Sequence, residues 1–248
     1  MRIEHVEEIG STNAELLLRP FAVEAGEPVL LVARHQSAGR GRRGRQWASR
    51  AGSSLTCSLA LERVLRPGQT PLSGLSLAAG VTVAEVLARL GVPVRLKWPN
   101  DLMRNAAKLG GILVEARRAA AIERAVIGVG LNLASDPLVA ADAAQPIATL
   151  FEQPPDETVR LGLAEALGRS LAAAFERFDA QGLAAFADRW RALDMLDGRA
   201  VTVIEADGRC WHGEAGGIDA DGRLLVYVDG RQHAVVAGEV SVRALSLP

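Results

Sequence analysis

Twenty-six of the 28 basic residues in this chain are arginine, and the two lysines, Lys97 and Lys108, both stand in motif-like surroundings. A background that favours arginine retains lysine where a compact ammonium on a flexible stem is needed and a planar guanidinium will not fit. In Lys97-Trp-Pro-Asn-Asp101 the lysine ends a short apolar run, Trp and Pro form a rigid stop, and Asn-Asp follows. This spacing brings a cation and a carboxylate together on one turn. A carboxylate there can hold Mg²⁺, with waters and substrate phosphates completing the shell. The same residues also suit an ordinary Pro-Asn-Asp turn. Lys108-Leu-Gly-Gly-Ile-Leu-Val-Glu115 sets the second lysine just before a double glycine entering a buried strand, and glycine there permits close backbone approach by a ligand or a neighbouring strand. Gly128-Val-Gly-Leu-Asn132 closes an apolar strand on an amide suited to a ligand edge, whereas Glu115 reads as a structural hydrogen-bond partner. Neither lysine follows Gly-x₄-Gly, which excludes a Walker A loop.

Gly39-Arg-Gly-Arg-Arg-Gly44 matches the letters of a dinucleotide-binding fingerprint, but Arg45 to Gly52 is a poor helix and the fingerprint must open one. Between Pro28 and Leu61 there are six arginines and no acidic residue, so positive charge is concentrated on one loop. That loop is an anion site, a nucleic-acid strip or a solvated surface loop. Aromatic interleaving is limited to Trp47, which disfavours nucleic acid. His5, His35, His212 and His233 form no cluster, Cys57 and Cys210 lack metal-ligand spacing, and no Gly-x-Ser-x-Gly elbow is present. A site rich in Arg, Lys and Asn, with one metal-capable Asp and no nucleophile, suits phosphoryl or adenylyl transfer driven by positioning and electrostatics.

The elements that must carry these residues are legible in outline. Apolar runs place strands at 29–33, 53–61, 94–97, 111–116 and 122–133, and helical periodicity marks 72–90, 158–178 and 183–193. Gly10 to Glu15 reads as a loop feeding a short helix, with Thr12 and Glu15 in capping-box spacing. From Asp197 the character changes: Asp-Gly pairs at 197, 207, 221 and 229 punctuate short β-branched runs, the pattern of successive hairpins. The expectation is an α/β (α+β) catalytic domain with a mixed sheet and packed helices over 1–195, followed by a small SH3-like β-barrel over 196–248. The net charge of −1 calls for no polyanionic partner. No run of 18 apolar residues and no signal-peptide h-region occurs, so a reduced cytoplasmic protein without membrane association is expected.

Five ordered segments carry a resemblance: Gly10-Ser-Thr-Asn13; Gln36 with Ala38 to Arg45 and Trp47; Lys97 to Asp101; Lys108 to Glu115; and Gly128-x-Gly-x-Asn132. Together they resemble the biotin protein ligase family, over the whole chain. The resemblance implies attack of the biotin carboxylate on the α-phosphate of ATP, giving biotinyl-5′-adenylate and pyrophosphate. The lysine of a biotin carboxyl carrier domain then takes the biotinyl group, and AMP leaves. It further implies that Ser11, Thr12, Asn13 and Gln36 line the biotin pocket, and that Arg40, Gly41 and Arg42 close over biotin and phosphate. Lys108 would bridge the biotin carboxylate and the α-phosphate, with Lys97, Arg40 and Arg42 assisting catalysis. Lys97, Asn100, Asn132 and Arg243 would serve the nucleotide, Trp47 would pack on the adenylate, and Asp101 would hold Mg²⁺, directly or through water. Because Ser-Thr-Asn begins at residue 11, the expected type is monofunctional, without the winged helix of repressor relatives and without DNA binding. A lipoate or octanoate ligase or transferase of the same fold is the alternative, and a homodimer is left open.

Overall fold

The computed structural model describes residues 1–21, 26–137, 145–205, 207–237 and 240–244, with backbone alone at 240, 241, 243 and 244. Seven strands form the larger sheet: β1 (Arg2–Ile9), β2 (Val29–Gln36), β3 (Ser54–Val64), β4 (Arg95–Lys97), β5 (Asp101–Arg104), β6 (Ala107–Ala119) and β7 (Ile122–Asn132). Their order is β1-β2-β3-β7-β6-β5-β4, with β1 and β2 parallel and every other neighbour antiparallel.

The central strands read as unbroken apolar runs because both faces are covered. On one face Leu30, Leu59 and Ile127 join the main core beneath α2 (Leu75–Arg89) and α3 (Glu157–Gln181). On the other, Leu31, Ala60 and Val126 pack around Leu16 of α1 (Thr12–Leu18). Helix α2 is apolar nearly all round because it lies between the sheet and α3. Gly91, at φ 78°, follows its last turn in the left-handed conformation that glycine adopts without a Cβ clash. Gly168 lets α3 settle on β2, since a Cβ there would lie 2.7 Å from Leu30. A 3₁₀ turn at Leu183–Phe186 leads into α4 (Ala187–Leu193).

The carboxy-terminal sheet comprises β8 (Ala200–Glu205), β9 (Cys210–Ile218), β10 (Leu224–Val228), β11 (Arg231–Val235) and β12 (Val240–Ala244), in the order β11-β10-β9-β8-β12. Three of the four Asp-Gly pairs sit between these strands. Asp229 and Gly230 both have positive φ and join Val228 to its partner Arg231, as a two-residue hairpin turn requires. The sheet is antiparallel and open: among the described residues no ladder joins β11 to β12, so the expected closed barrel is not seen.

Two other expectations need correction. The helix cap is Ser11, whose hydroxyl accepts from Ala14 N, so Thr12 is the first helical residue and its side chain is released for other work. The segment after Pro99 does not remain a turn: Asp101–Arg104 is strand β5, paired to β4 and β6.

Candidate active site

A cavity of about 1170 Å³ opens where the ends of β2, β3, β6 and β7 meet the arginine loop and the carboxy-terminal unit. Its polar floor is one hydrogen-bonded chain. Thr12 N donates to Gln36 Oε1 at 2.7 Å, Thr12 Oγ1 meets Ser58 Oγ at 2.6 Å, and Ser58 Oγ donates to Asn13 Oδ1 at 2.6 Å. Asn13 Nδ2 then donates to Glu115 Oε2 at 2.9 Å. The cap shift makes this chain available, since a capping Thr12 could not also face Gln36 and Ser58. Gly128 makes room for it: a Cβ there would lie 2.2 Å from Asn13 Oδ1.

The arginine loop folds back on itself. Arg40 bridges Gln46, Gly41 N donates to Arg45 O at 2.7 Å, and Trp47 N donates to Gly39 O at 2.9 Å. Glycine at 39 is required, because a Cβ would lie 2.4 Å from Trp47 O. The Trp47 ring lies over Gly130, where a Cβ would meet the indole at 2.5 Å. Arg42 reaches across the cavity, donating to Asn100 Oδ1 at 3.4 Å and to the carbonyl of Ala237. Burial lowers the Arg42 pKa; the Asp101 carboxylate opposes this, while Arg45 and Arg43 reinforce it. A guanidinium so displaced still carries its charge.

Lys108 Nζ pairs with Asp101 Oδ1 at 2.5 Å, so the two residues singled out for ammonium and metal chemistry touch. Seven basic side chains line the cavity (Arg40, Arg42, Arg43, Arg45, Lys97, Lys108 and Arg199), against the single carboxylate of Asp101 among the described lining. No group of three or more His, Cys, Asp or Glu among the described residues could hold a metal by itself. Cys57 also lines the cavity, but burial pushes its thiol up to about 12, so it is no nucleophile at neutral pH.

The cavity brings together Ser11, Thr12, Asn13, Gln36, Arg40, Gly41, Arg42, Trp47, Lys97, Asn100, Asp101 and Lys108. Asn132 is not among its lining residues. Its amide donates to Lys108 O at 3.1 Å, and its side lines an adjoining cavity of about 220 Å³. Arg243 lies on β12 opposite Thr202; its side chain falls outside the described residues. Asn100 is partly committed to structure, donating to Ile112 O at 2.7 Å. Sequence reasoning missed Ser58 and Arg199. Ser58 carries no signal beyond its place on a buried strand, and Arg199 arrives from the carboxy-terminal unit. That unit is fastened by Trp98 Nε1, which donates to Gly222 O at 3.0 Å, and by Arg42, which donates to Ala237 O.

Residues 8–132 match the model of the biotin/lipoate A/B protein ligase family, and residues 198–243 that of the biotin protein ligase C-terminal domain. The chain belongs to the biotin/lipoate A/B protein ligase family. It is 40% identical over 238 residues to the bifunctional ligase/repressor BirA of Escherichia coli, spanning 95% of this chain and 72% of that one. It is 37% identical over 243 residues to the biotin–[acetyl-CoA-carboxylase] ligase of Mycobacterium tuberculosis, spanning 96% and 88%. Among solved structures, biotin protein ligase from Aquifex aeolicus in complex with biotin and ATP superposes with a TM-score of 0.78 at 24% identity, over 98% of this chain and 99% of that chain, which shows a shared fold. The ligase family accounts for a cationic cavity without a nucleophile. No helix among the described residues is long and apolar enough to cross a membrane.

Proposed function

We propose that the chain is an ATP-dependent ligase that attaches biotin to one lysine of a biotin carboxyl carrier domain through biotinyl-5′-adenylate. The observation that carries this reading is the seven-to-one excess of cations over carboxylates among the described residues lining a cavity whose other end is lined by the uncharged polar side chains of Ser11, Thr12, Asn13, Gln36 and Ser58. Such a cavity suits two anions brought together against their mutual repulsion, with one neutral, hydrogen-bonding head group held apart from them.

Ser11, Thr12, Asn13 and Gln36 hold the ureido ring. Arg40, Gly41 and Arg42 close over the carboxylate and phosphate, and Lys108 leaves Asp101 to bridge the two reactants. Its slim ammonium fits between anions where a guanidinium would separate them. Lys97, Asn100, Asn132 and Arg243 serve the nucleotide, and Trp47 covers the adenylate against water. Asp101 fits a hard cation held through one carboxylate and substrate phosphates, and Mg²⁺ bound there supplies neutralisation of polyphosphate charge. In the second half-reaction the carrier's lysine amine attacks the mixed anhydride and AMP departs. The boundary between the units falls at 195/196. The carboxy-terminal sheet, which matches a biotin protein ligase domain, serves as an SH3-like wall of the site. The enzyme works in the cytoplasm, where its carrier and ATP are found.

The test is pyrophosphate release with ATP, Mg²⁺ and either biotin or lipoate, followed by transfer to a carrier domain. Biotin alone should support both steps. Turnover with lipoate and not biotin would replace this reading with the lipoate alternative.

A further inference from the structure

Glu115, half-buried on β6, does not line the main cavity; it lines the groove beside the arginine loop. Its carboxylate nonetheless ends the hydrogen-bonded chain of the floor, and the protons in that chain can be counted. An ionised carboxylate has none to give. Asn13 must therefore turn its Nδ2 towards Glu115, at 2.9 Å, and its second amide proton goes to Leu113 O at 3.3 Å. Asn13 Oδ1 then faces Ser58 Oγ at 2.6 Å and can only accept. The other short contact, Thr12 Oγ1 to Ser58 Oγ, is also 2.6 Å. Each short contact needs one proton, and Ser58 and Thr12 have one apiece. Ser58 must donate to Asn13, and Thr12 to Ser58. Thr12 has one hydroxyl proton, and with the shorter 2.6 Å contact to Ser58 taking it, the 3.0 Å contact from Thr12 Oγ1 to Gln36 Oε1 gives way.

We propose that Glu115 is a positioning residue for ligand choice: its proton-free carboxylate fixes the Asn13 amide, commits both hydroxyl protons inside the chain, and leaves Ser58 and Thr12 able only to accept hydrogen bonds from the ligand. The site thereby selects a head group that presents N–H donors and rejects one that presents lone pairs in the same place. This rests on the reading that the ureido ring sits on this floor.

The experiment compares biotin with its cyclic-carbonate counterpart, in which both ring N–H groups are replaced by oxygen, by calorimetric titration and competition on the full chain. The parent should prefer biotin by on the order of 10²-fold or more, as sites built on buried hydrogen bonds do. Glu115→Gln puts an amide at 115 that can present either a donor or an acceptor. Only the longer 3.3 Å contact to Leu113 O then opposes the turning over of Asn13, which frees a hydroxyl proton, so the preference should fall about tenfold while the KM for ATP stays unchanged. Glu115→Asp retains a proton-free carboxylate and should keep the parent's preference, even where its thermal stability is reduced. An unchanged preference in Glu115→Gln, or equal loss in both variants, would overturn the proposal. Absence of biotin binding by the parent would instead overturn the functional reading.

Discussion

Asp194 lies at the junction of the two units, in a parallel bridge to Leu96 of β4, and is 2% exposed. Its Oδ1 accepts from Leu196 N at 2.9 Å, while Oδ2 is buried without a partner among the described residues. Burial pushes its pKa from the ordinary 3.8 to about 6, the Leu196 bond opposes this, Asp197 adds to it, and Arg95 opposes it. Because the folded-state pKa is raised, the native state favours the protonated acid. The group costs no stability below the unfolded pKa, and the cost grows as pH rises through 3.8 and is complete above about 6. At about 1.36 kcal/mol per pKa unit the full cost is about 3 kcal/mol at pH 8, and about half of that at pH 5. Asp194→Asn removes the ionisation and can keep the Leu196 bond, but its buried amide protons cost about 1–3 kcal/mol at every pH. The difference between variant and parent must therefore move in the variant's favour by about 1.4 kcal/mol between pH 5 and pH 8. At about 2–4 °C per kcal/mol for a chain of this size, that is about 3–6 °C in Tm. Thermal melts of both proteins at the two pH values measure it. A gap in Tm that stays the same at pH 5 and pH 8 would refute the assignment of a buried, costly carboxylate to this joint.

Lys108→Arg keeps the charge but not the shape, and should lower pyrophosphate release on the order of 10²-fold; near-normal release would show that charge alone suffices. Arg42→Gly removes the contacts to Asn100 and Ala237 and adds backbone freedom to the loop. The variant should still form adenylate but release it, so that lysines on bystander proteins become labelled; retention equal to the parent's would make the loop a surface feature. Arg199→Ala should raise the KM for ATP several-fold and leave that for biotin unchanged. Equal effects on both would place the guanidinium elsewhere in the reaction.

What the sequence could reveal depended on whether the cause was local. Hairpins at Asp207-Gly208, Asp221-Gly222 and Asp229-Gly230 were legible because the turn chemistry lies in the turn itself. The buried strands β2, β3 and β7 were legible as apolar runs, although periodicity could not say that α1 would cover one face and α2 with α3 the other. Strand β1 was invisible: Arg2–Ile9 is an acidic edge strand, and its charged, exposed pattern reads as a terminus unless the partner is known. The cap was misread by one residue because Ser11 and Thr12 are equally good caps, and only Gln36 and Ser58 decide between them. Lys97, Asp101 and Lys108 stood out through their local motifs, and the contact between Asp101 and Lys108 followed from pairing β5 with β6.

The wall supplied by the carboxy-terminal unit was hidden for a more general reason. Among the described residues, two long-range side-chain bonds tie it to the catalytic unit: Trp98 Nε1 donates to Gly222 O, and Arg42 to Ala237 O. Both acceptors are backbone carbonyls, which all residue types possess, so the side chains at 222 and 237 carry no trace of the contact. The donors Trp98 and Arg42 do carry information, but each already had a local explanation, one as a rigid stop before Pro99 and the other as part of a cationic loop. A joint written in carbonyls constrains conformation rather than residue identity. The one substitution it forbids plainly is at Gly222, at φ 79° and with a Cβ position 3.0 Å from Leu77. That glycine was legible only as half of an Asp-Gly turn. The same residue turns the chain between β9 and β10 and seats Trp98, so one local signal concealed a second, tertiary role that positions the cationic cavity.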